Sequence, residues 1–241
     1  SGERQPPAEI LLPRKPDDAG LLRERLSELR GNSVKLLVPR RGSRVQLMTM
    51  ARQNAEQIFT DQEQQKKSWS NLASMLEKTL HLGREPDHIE CVDISNIGGR
   101  QAVGSLVCYR KGAPYKAGYR HYRIREKETP DDYAMMREVL ERRLEKGMVE
   151  QNLPDLLLLD GGKGQLNLAV DVLDRFALTG RIDLAAIAKE KEQEGEKLFR
   201  PGRKNPLILP KYSPVLLFLM RVRDEAHRFG ITHHRKLRKK K

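Results

Sequence analysis

The stretch from Arg223 to Arg235, RDEAHRFGITHHR, sets a histidine among acids and arginines in a run of helical character. At helical spacing Asp224, His227, Arg228 and Ile231 occupy neighbouring positions of one face, and Arg221, Arg223 and Arg235 add positive charge beside it. Imidazole, carboxylate and guanidinium at that spacing suit phosphodiester chemistry. A solvated, salt-bridged helix has the same composition, so the stretch does not decide by itself.

Two aspartates earlier in the chain bear on the choice. Asp93 lies in the apolar run Cys91-Val-Asp-Ile-Ser95, where strand propensity disfavours aspartate and burial of a lone carboxylate is costly. A bound cation offsets that cost, and so does a buried ion pair. Asp160 ends the leucine run 156–159, at the strand edge where open α/β sheets bind ligands; it also fits the start of a turn completed by Gly161 and Gly162. If the two strands are neighbours, the carboxylates meet at one sheet edge and the helix carrying His227 closes over them. Hard oxygen donors with one imidazole suit Mg2+ or Mn2+, which clamp a scissile phosphate and orient an attacking water. Nearby cations then neutralise developing charge.

Other motifs carry less. Gly161-Gly-Lys-Gly164 lacks the Walker spacing and the hydroxyl residue after its lysine, so nucleotide hydrolysis is not expected, although its glycines can cradle a DNA phosphate. His233-His234 is not a metalloprotease motif, and the two cysteines, Cys91 and Cys108, sit in apolar strand-like runs where buried reduced thiols are the default. Asp131 and Asp132 fit a helix N-terminus, and one of them can also reach the metal edge.

The elements that must position these groups follow from pattern and composition. The chain has 241 residues, 38% hydrophobic and 33% charged, with a net charge of +13. That is enough chain for one large or two small cores, and the charge points to a polyanion, nucleic acid first. With no run of about 18 apolar residues and no signal-like start, a membrane partner is not expected and the location is expected to be cytoplasmic.

A first block over 3–82 reads as a small α/β region. It has an apolar run at 8–12, a helix opened near Asp17-Asp18 and stopped by Gly31, and a strand at 34–38. From about Arg44 a long helical pattern runs toward Leu80; its polar middle marks an exposed arm, with Trp69 and Leu72 docking the far end.

Gly83 and Pro86 then mark a linker, and a second domain is expected over 83–241. Strands at 88–95 and 102–109, turning at Gly98-Gly99, form a hairpin that places Cys91 opposite Cys108 if symmetric. A basic strand follows at 119–125, then a helix capped by Thr129 and running to Gly147. Leu156–Leu159 reads as a central, doubly covered strand, with a helix, a strand at 184–188, a hairpin joining 198–199 to 207–209, and a closing helix capped by Ser213. That order implies an α/β fold with a mixed sheet flanked by helices.

Taken together, the chain resembles the carboxyl-terminal half of UvrC, a subunit of the bacterial excinuclease of nucleotide excision repair. The resemblance rests on Val92-Asp-Ile-Ser95, Tyr119-Arg120 with Asp131-Asp132-Tyr133, Leu159-Asp-Gly-Gly-Lys-Gly-Gln165, Ala188-Lys189 and Arg223-Asp-Glu-Ala-His-Arg-Phe229. Pro39-Arg-Arg-Gly42 and Met50-Ala-Arg-Gln-Asn-Ala55 extend it into the first block, so it covers residue 3 to the end. It implies a ribonuclease H-like endonuclease with Asp93, Asp160 and His227 as catalytic and metal-binding triad and Asp132 as a further acid. The expected contacts to DNA are Lys163, Gln165, Arg228, Lys189, Arg120 and Arg123.

The implied substrate is double-stranded DNA containing a lesion, incised on its 5′ side by water to leave a 3′-hydroxyl and a 5′-phosphate. The implied partner is the UvrB–DNA pre-incision complex, which also reads the damage. The GIY-YIG nuclease half, the UvrB-contacting segment and the helix-hairpin-helix pair of that family are not among these residues. The basic tail reads as a fragment boundary and Ser1-Gly2 as an expression scar, so weak DNA binding and poor unaided incision are expected. Gly230 stands where alanine is more familiar, at a cost to the helix of about 1 kcal/mol. The alternatives are a non-catalytic DNA-binding scaffold and a ribonuclease acting on RNA–DNA hybrids.

Overall fold

The computed structural model describes residues 5–95, 103–124, 131–189 and 195–238, without the side chains of Ser95 and of 233–238. The chain divides into two compact units, Ser1–Gln65 and Lys66–Lys241, and the division falls inside a helix.

In the first unit, β1 (Glu9–Leu11) and β2 (Lys35–Leu37) pair in parallel and are joined through α1 (Ala19–Arg30). Gly31 ends α1 at φ 74°, a left-handed conformation that favours glycine, and its N–H bonds Glu28 O. Asp18 holds the N-cap position without making a side-chain cap bond. The Ser27 hydroxyl donates to Arg23 O and accepts from Val34 N, which seats the fully buried Val34. The long helix α2 (Ser43–Leu80) begins here, with Arg44 paired to Glu9 at 2.8 Å.

The second unit begins within α2 and is built on a seven-stranded sheet. Its elements are β3 (His88–Ser95), β4 (Val103–Arg110), β5 (Ala113–Pro114), a 3-10 turn at Lys116–Gly118, β6 (Arg120–Arg123), α3 (Asp132–Val149), β7 (Leu156–Asp160), α4 (Lys163–Arg175), β8 (Asp183–Lys189), β9 (Glu196–Phe199) and α5 (Pro214–Arg238). The strand order is β5-β4-β3-β7-β8-β9, with β6 also on β4; β3, β7 and β8 run parallel and their outer neighbours antiparallel. The mixed sheet expected from the sequence is therefore present.

Strand alternation sorts the core into two layers. Ile89, Cys91, Leu156, Leu158, Ala185 and Ile187 pack with α5 and the end of α2. Val92, Leu106, Leu157, Leu159 and Ala186 pack with α3 and α4. Helices thus cover both faces, which is why β7 reads as unbroken leucine: none of Leu156–Leu159 is more than 2% exposed. Each such leucine contributes about 1.5–3 kcal/mol on burial. Trp69 docks α2 onto this unit, donating from Nε1 to Asp87 Oδ1 at 3.0 Å while its ring meets Phe218. Gly112, at φ +76°, lets the chain pass that ring: a Cβ there would lie 2.4 Å from Trp69 Cε3.

At the start of β3, a buried polar group ties strand to helix. Arg143 of α3 donates to both carboxylate oxygens of Glu90, at 2.8 and 2.7 Å, and Glu90 Oε1 lies 3.0 Å from His88 Nε2.

Three local expectations need correction. Cys91 pairs with Val107 and Cys108 with Glu90, one residue off the symmetric hairpin, so the thiols face opposite sides of the sheet; its turn near Gly98-Gly99 lies outside the described residues. The cap of α3 is Asp131, whose carboxylate accepts from Tyr133 N; Thr129 lies outside the described residues. Of the expected strand at 119–125, Arg120–Arg123 is strand while Tyr119 and Ile124 are not, and Arg125 lies outside the described residues. The hairpin from β9 is present, with Leu198 and Leu207 exchanging backbone bonds of 3.2 and 2.7 Å.

Candidate active site

β3 and β7 are parallel neighbours with Val92 beside Leu159, so the next residue of each strand, Asp93 and Asp160, comes to the same edge. Both continue the alternation of Cys91 and Leu158, which aims them at the face covered by α5. On that helix Val215, Leu219, Val222 and Ala226 form the buried stripe, and His227 follows at its margin. His227 Nδ1 lies 3.5 Å from Asp93 Oδ2, and one donor atom from each of Asp93, Asp160 and His227 lies within 4.8 Å of the others.

Burial grades across this group. Asp93 is 5% exposed and forms its floor, Asp160 is half-buried, and the His227 side chain is 58% exposed at the lip. Burial, and then the Asp93 charge, push the Asp160 carboxyl up to about 6, while Arg223 and His227 pull against them. Cys91 lies beneath, its thiol driven well above its ordinary value by burial and by both aspartates. Two crowded carboxylates under one imidazole form a hard donor set that a divalent cation fits.

Arg223, expected as positive charge beside the helix face, is only 7% exposed. Its guanidinium joins Glu196 of β9 to Asp224, pinning α5 to the far side of the sheet. On the near side the antiparallel register runs from Asp93 to Ser105 to His121, one row across three strands. Ser105 is fully buried, with Oγ 3.4 Å from His121 Nδ1. The His121 ring stacks on Phe229 of α5 with centroids 3.8 Å apart. The sequence assigned no role to Glu196, Ser105, Tyr119, His121 or Phe229; only the register brings them here.

The remaining expected residues divide. Asp132 is the exposed first residue of α3 and lies outside the donor group. Arg123 shares the strand face of His121, whereas Arg120 shares that of Leu106 and Tyr122 and is tied to the carbonyls of Ala117 and Tyr119. Lys163 opens α4 and donates to Lys204 O at 3.3 Å. Gln165 accepts from Gly162 N, closing the turn after Asp160. Lys189 is exposed at the end of β8. Arg228 is 59% exposed and paired with Glu225. The side chains of His233 and His234 lie outside the described residues.

A second group, His88, Glu90 and Cys108, has its donor atoms equally close, but the Glu90 carboxylate is committed to the Arg143 guanidinium, which repels a metal cation. Among the described residues no helix is long and apolar enough to cross a membrane.

Residues 77–231 match a family model described as the UvrC RNAse H endonuclease domain, and residues 1–62 match one described as the UvrC Ribonuclease H-like domain. The chain is 51% identical over 236 residues to UvrABC system protein C of Desulfotalea psychrophila, covering 98% of this chain and 39% of that protein. It is 48% identical over 244 residues to the protein of the same name from Syntrophotalea carbinolica, covering 97% and 40%. The chain thus spans about two fifths of the length of these curated relatives. Among solved structures, the Ciona intestinalis Endonuclease V in complex with inosine-containing DNA aligns over 76% of this chain and 99% of its own, at 11% identity and a TM-score of 0.41, too distant to inform the site.

Proposed function

The chain belongs to the UvrC family, matching its RNase H endonuclease domain, and on that premise we propose that it is a metal-dependent DNA endonuclease that makes the incision on the 5′ side of a lesion. The observation that carries this reading is the pairing of Asp93 and Asp160 at one sheet edge, with His227 3.5 Å from Asp93. The raised Asp160 carboxyl, crowded by its neighbour, is what a site awaiting a cation should show. A scaffold that only holds DNA gains nothing from it, because two carboxylates at the binding edge repel phosphate.

Asp93, Asp160 and His227 would hold Mg2+ or Mn2+, which when bound polarises the scissile phosphate and lowers the pKa of a water. The chain's own residues do the rest. Asp93, fixed in the floor, sets the position of the donor group and holds His227 through Nδ1. His227, the exposed member, keeps its other ring nitrogen for coordination or for a proton on the attacking water or the leaving oxygen. Arg228 and Arg123 offer positive charge along the approach, and in-line attack of water leaves a 3′-hydroxyl and a 5′-phosphate. The substrate is lesion-bearing duplex, delivered as a UvrB–DNA pre-incision complex by the longer protein.

Asp160→Ala and His227→Ala should each abolish incision in the reconstituted excision system while leaving the fold and DNA binding intact. Normal incision by either variant would sink the assignment. Cleavage of an RNA–DNA hybrid in preference to lesion-bearing duplex would move the chain to the ribonuclease class.

A further inference from the structure

The buried stripe of α5 weakens where the chemistry begins. Up to Val222 the helix anchors itself on the sheet with large apolar side chains, but beyond Arg223, whose guanidinium ties the helix to Glu196, the next buried positions are Ala226 and Gly230. Apolar burial is non-directional, and here little of it is left to fix the height or roll of the helix beside His227. Two side chains from the sheet edge supply directional contacts in its place. The Tyr119 hydroxyl donates to Glu225 Oε1 at 3.0 Å, and its ring meets Phe229 edge-on at 5.1 Å. The His121 ring stacks on the same phenylalanine at an interplanar angle of 13°. Glu225 and Phe229 are one helical turn apart, with His227 between them in sequence.

We propose that Tyr119 and His121 are positioning residues for the cleavage reaction, clamping α5 on either side of His227 so that its imidazole meets Asp93 and Arg228 is held ready for phosphate. The clamp is tied into the floor of the site. Ser105, directly across from Asp93 in the sheet, holds His121 through Nδ1, so Asp93 and the ring that stacks on α5 share one row of β-sheet. The clamp also orders a charge: Glu225 takes bonds of 2.6 and 2.7 Å from the Arg228 guanidinium while accepting from Tyr119. Burial and the bond to Glu225 keep the Tyr119 phenol protonated, so it remains the donor. The Arg228 bond, with the Tyr119 bond adding to it against burial, holds Glu225 ionised as their shared acceptor.

This inference rests on the endonuclease reading for its effect on rate, but the clamp itself can be tested without catalysis. Tyr119→Phe removes the bond to Glu225 and keeps the ring; His121→Ala removes the stack, and His121→Phe restores it without an imidazole. In the 241-residue chain, hydrogen exchange at the amides of Ala226–Gly230 should quicken in Tyr119→Phe and His121→Ala, and return toward the parent rate in His121→Phe. Single-turnover nicking of a supercoiled plasmid with Mn2+ should fall about 10- to 100-fold in the first two variants, the range expected for a misplaced catalytic group, with DNA affinity unchanged. His121→Phe should recover most of the rate.

Unchanged exchange in both variants would overturn the clamp. Quickened exchange with full nicking, where His227→Ala abolishes nicking, would overturn the positioning role. Loss of DNA affinity in place of rate would reassign the pair to substrate contact. If His227→Ala still nicks normally, the role of His227 fails, and the exchange rates still decide whether the clamp exists.

Discussion

Asp93 and Asp160 lie side by side on adjacent parallel strands, on the same face of the sheet, and the second carboxyl is pushed up to about 6 by burial and by the first. Neither residue is close to the other in sequence. Their pairing is a product of the crossover that carries the chain from β3 through α3 into β7, and it makes the metal-free site a source of instability that the chain tolerates.

That instability can be measured. A carboxyl raised above its ordinary 3.8 adds stability to the metal-free fold that is fully present below that value and lost as pH rises through about 6. Asp160→Asn, which cannot ionise, should therefore stabilise the metal-free chain near pH 7 by about 1–3 kcal/mol while removing nuclease activity. Urea unfolding in EDTA between pH 4 and pH 8 checks this: the gap between parent and variant should open as pH rises. Added Mn2+ should raise the melting temperature of the parent more than that of the variant; equal shifts in both would place the ion elsewhere.

The two basic residues of β6 should behave differently. Arg123 lies on the strand face of the site, and Arg123→Ala should weaken DNA binding and reduce the slope of log K against log salt by about 1, the effect of one lost phosphate contact. Arg120 is turned to the other face and occupied by the carbonyls of Ala117 and Tyr119, so Arg120→Ala should leave that slope unchanged. Filter binding at several salt concentrations separates them.

Gly104 sets how closely α3 approaches the sheet. A Cβ there would lie 2.4 Å from Cγ2 of the fully buried Val139 and 3.3 Å from Cδ1 of Ile94, which packs against the same core. Gly104→Ala should cost about 1–3 kcal/mol in unfolding free energy, as overpacking does. Adding Val139→Ala should recover part of that loss, so the double variant should be more stable than the sum of its singles predicts.

Much of this was legible in the sequence, for identifiable reasons. Leu156–Leu159 announced a strand covered on both sides, and an aspartate inside Cys91–Ser95 announced a carboxylate with a reason to be buried. Arg223 shows where reading stopped: its neighbours suggested a solvated helix face, and only its long-range contact with Glu196 reveals it as a buried strut. His121 shows the same limit, because stacking on Phe229 depends on a register that local pattern does not encode. The cap of α3 fell two residues later than composition suggested, since Asp131 accepts from the helix backbone itself.

The one-residue offset between β3 and β4 reaches beyond geometry. With Cys91 packed toward α5 and Cys108 beside Glu90, toward α3, the sheet itself stands between the two sulfurs. Burial also holds both thiols protonated, with Cys108 pushed up to about 11. They are the chain's only cysteines, so oxidants have no internal pair to join and little thiolate to attack while the fold stands. Both thiols of the domain are thus shielded from oxidation for as long as the sheet and its covering helices stay in place.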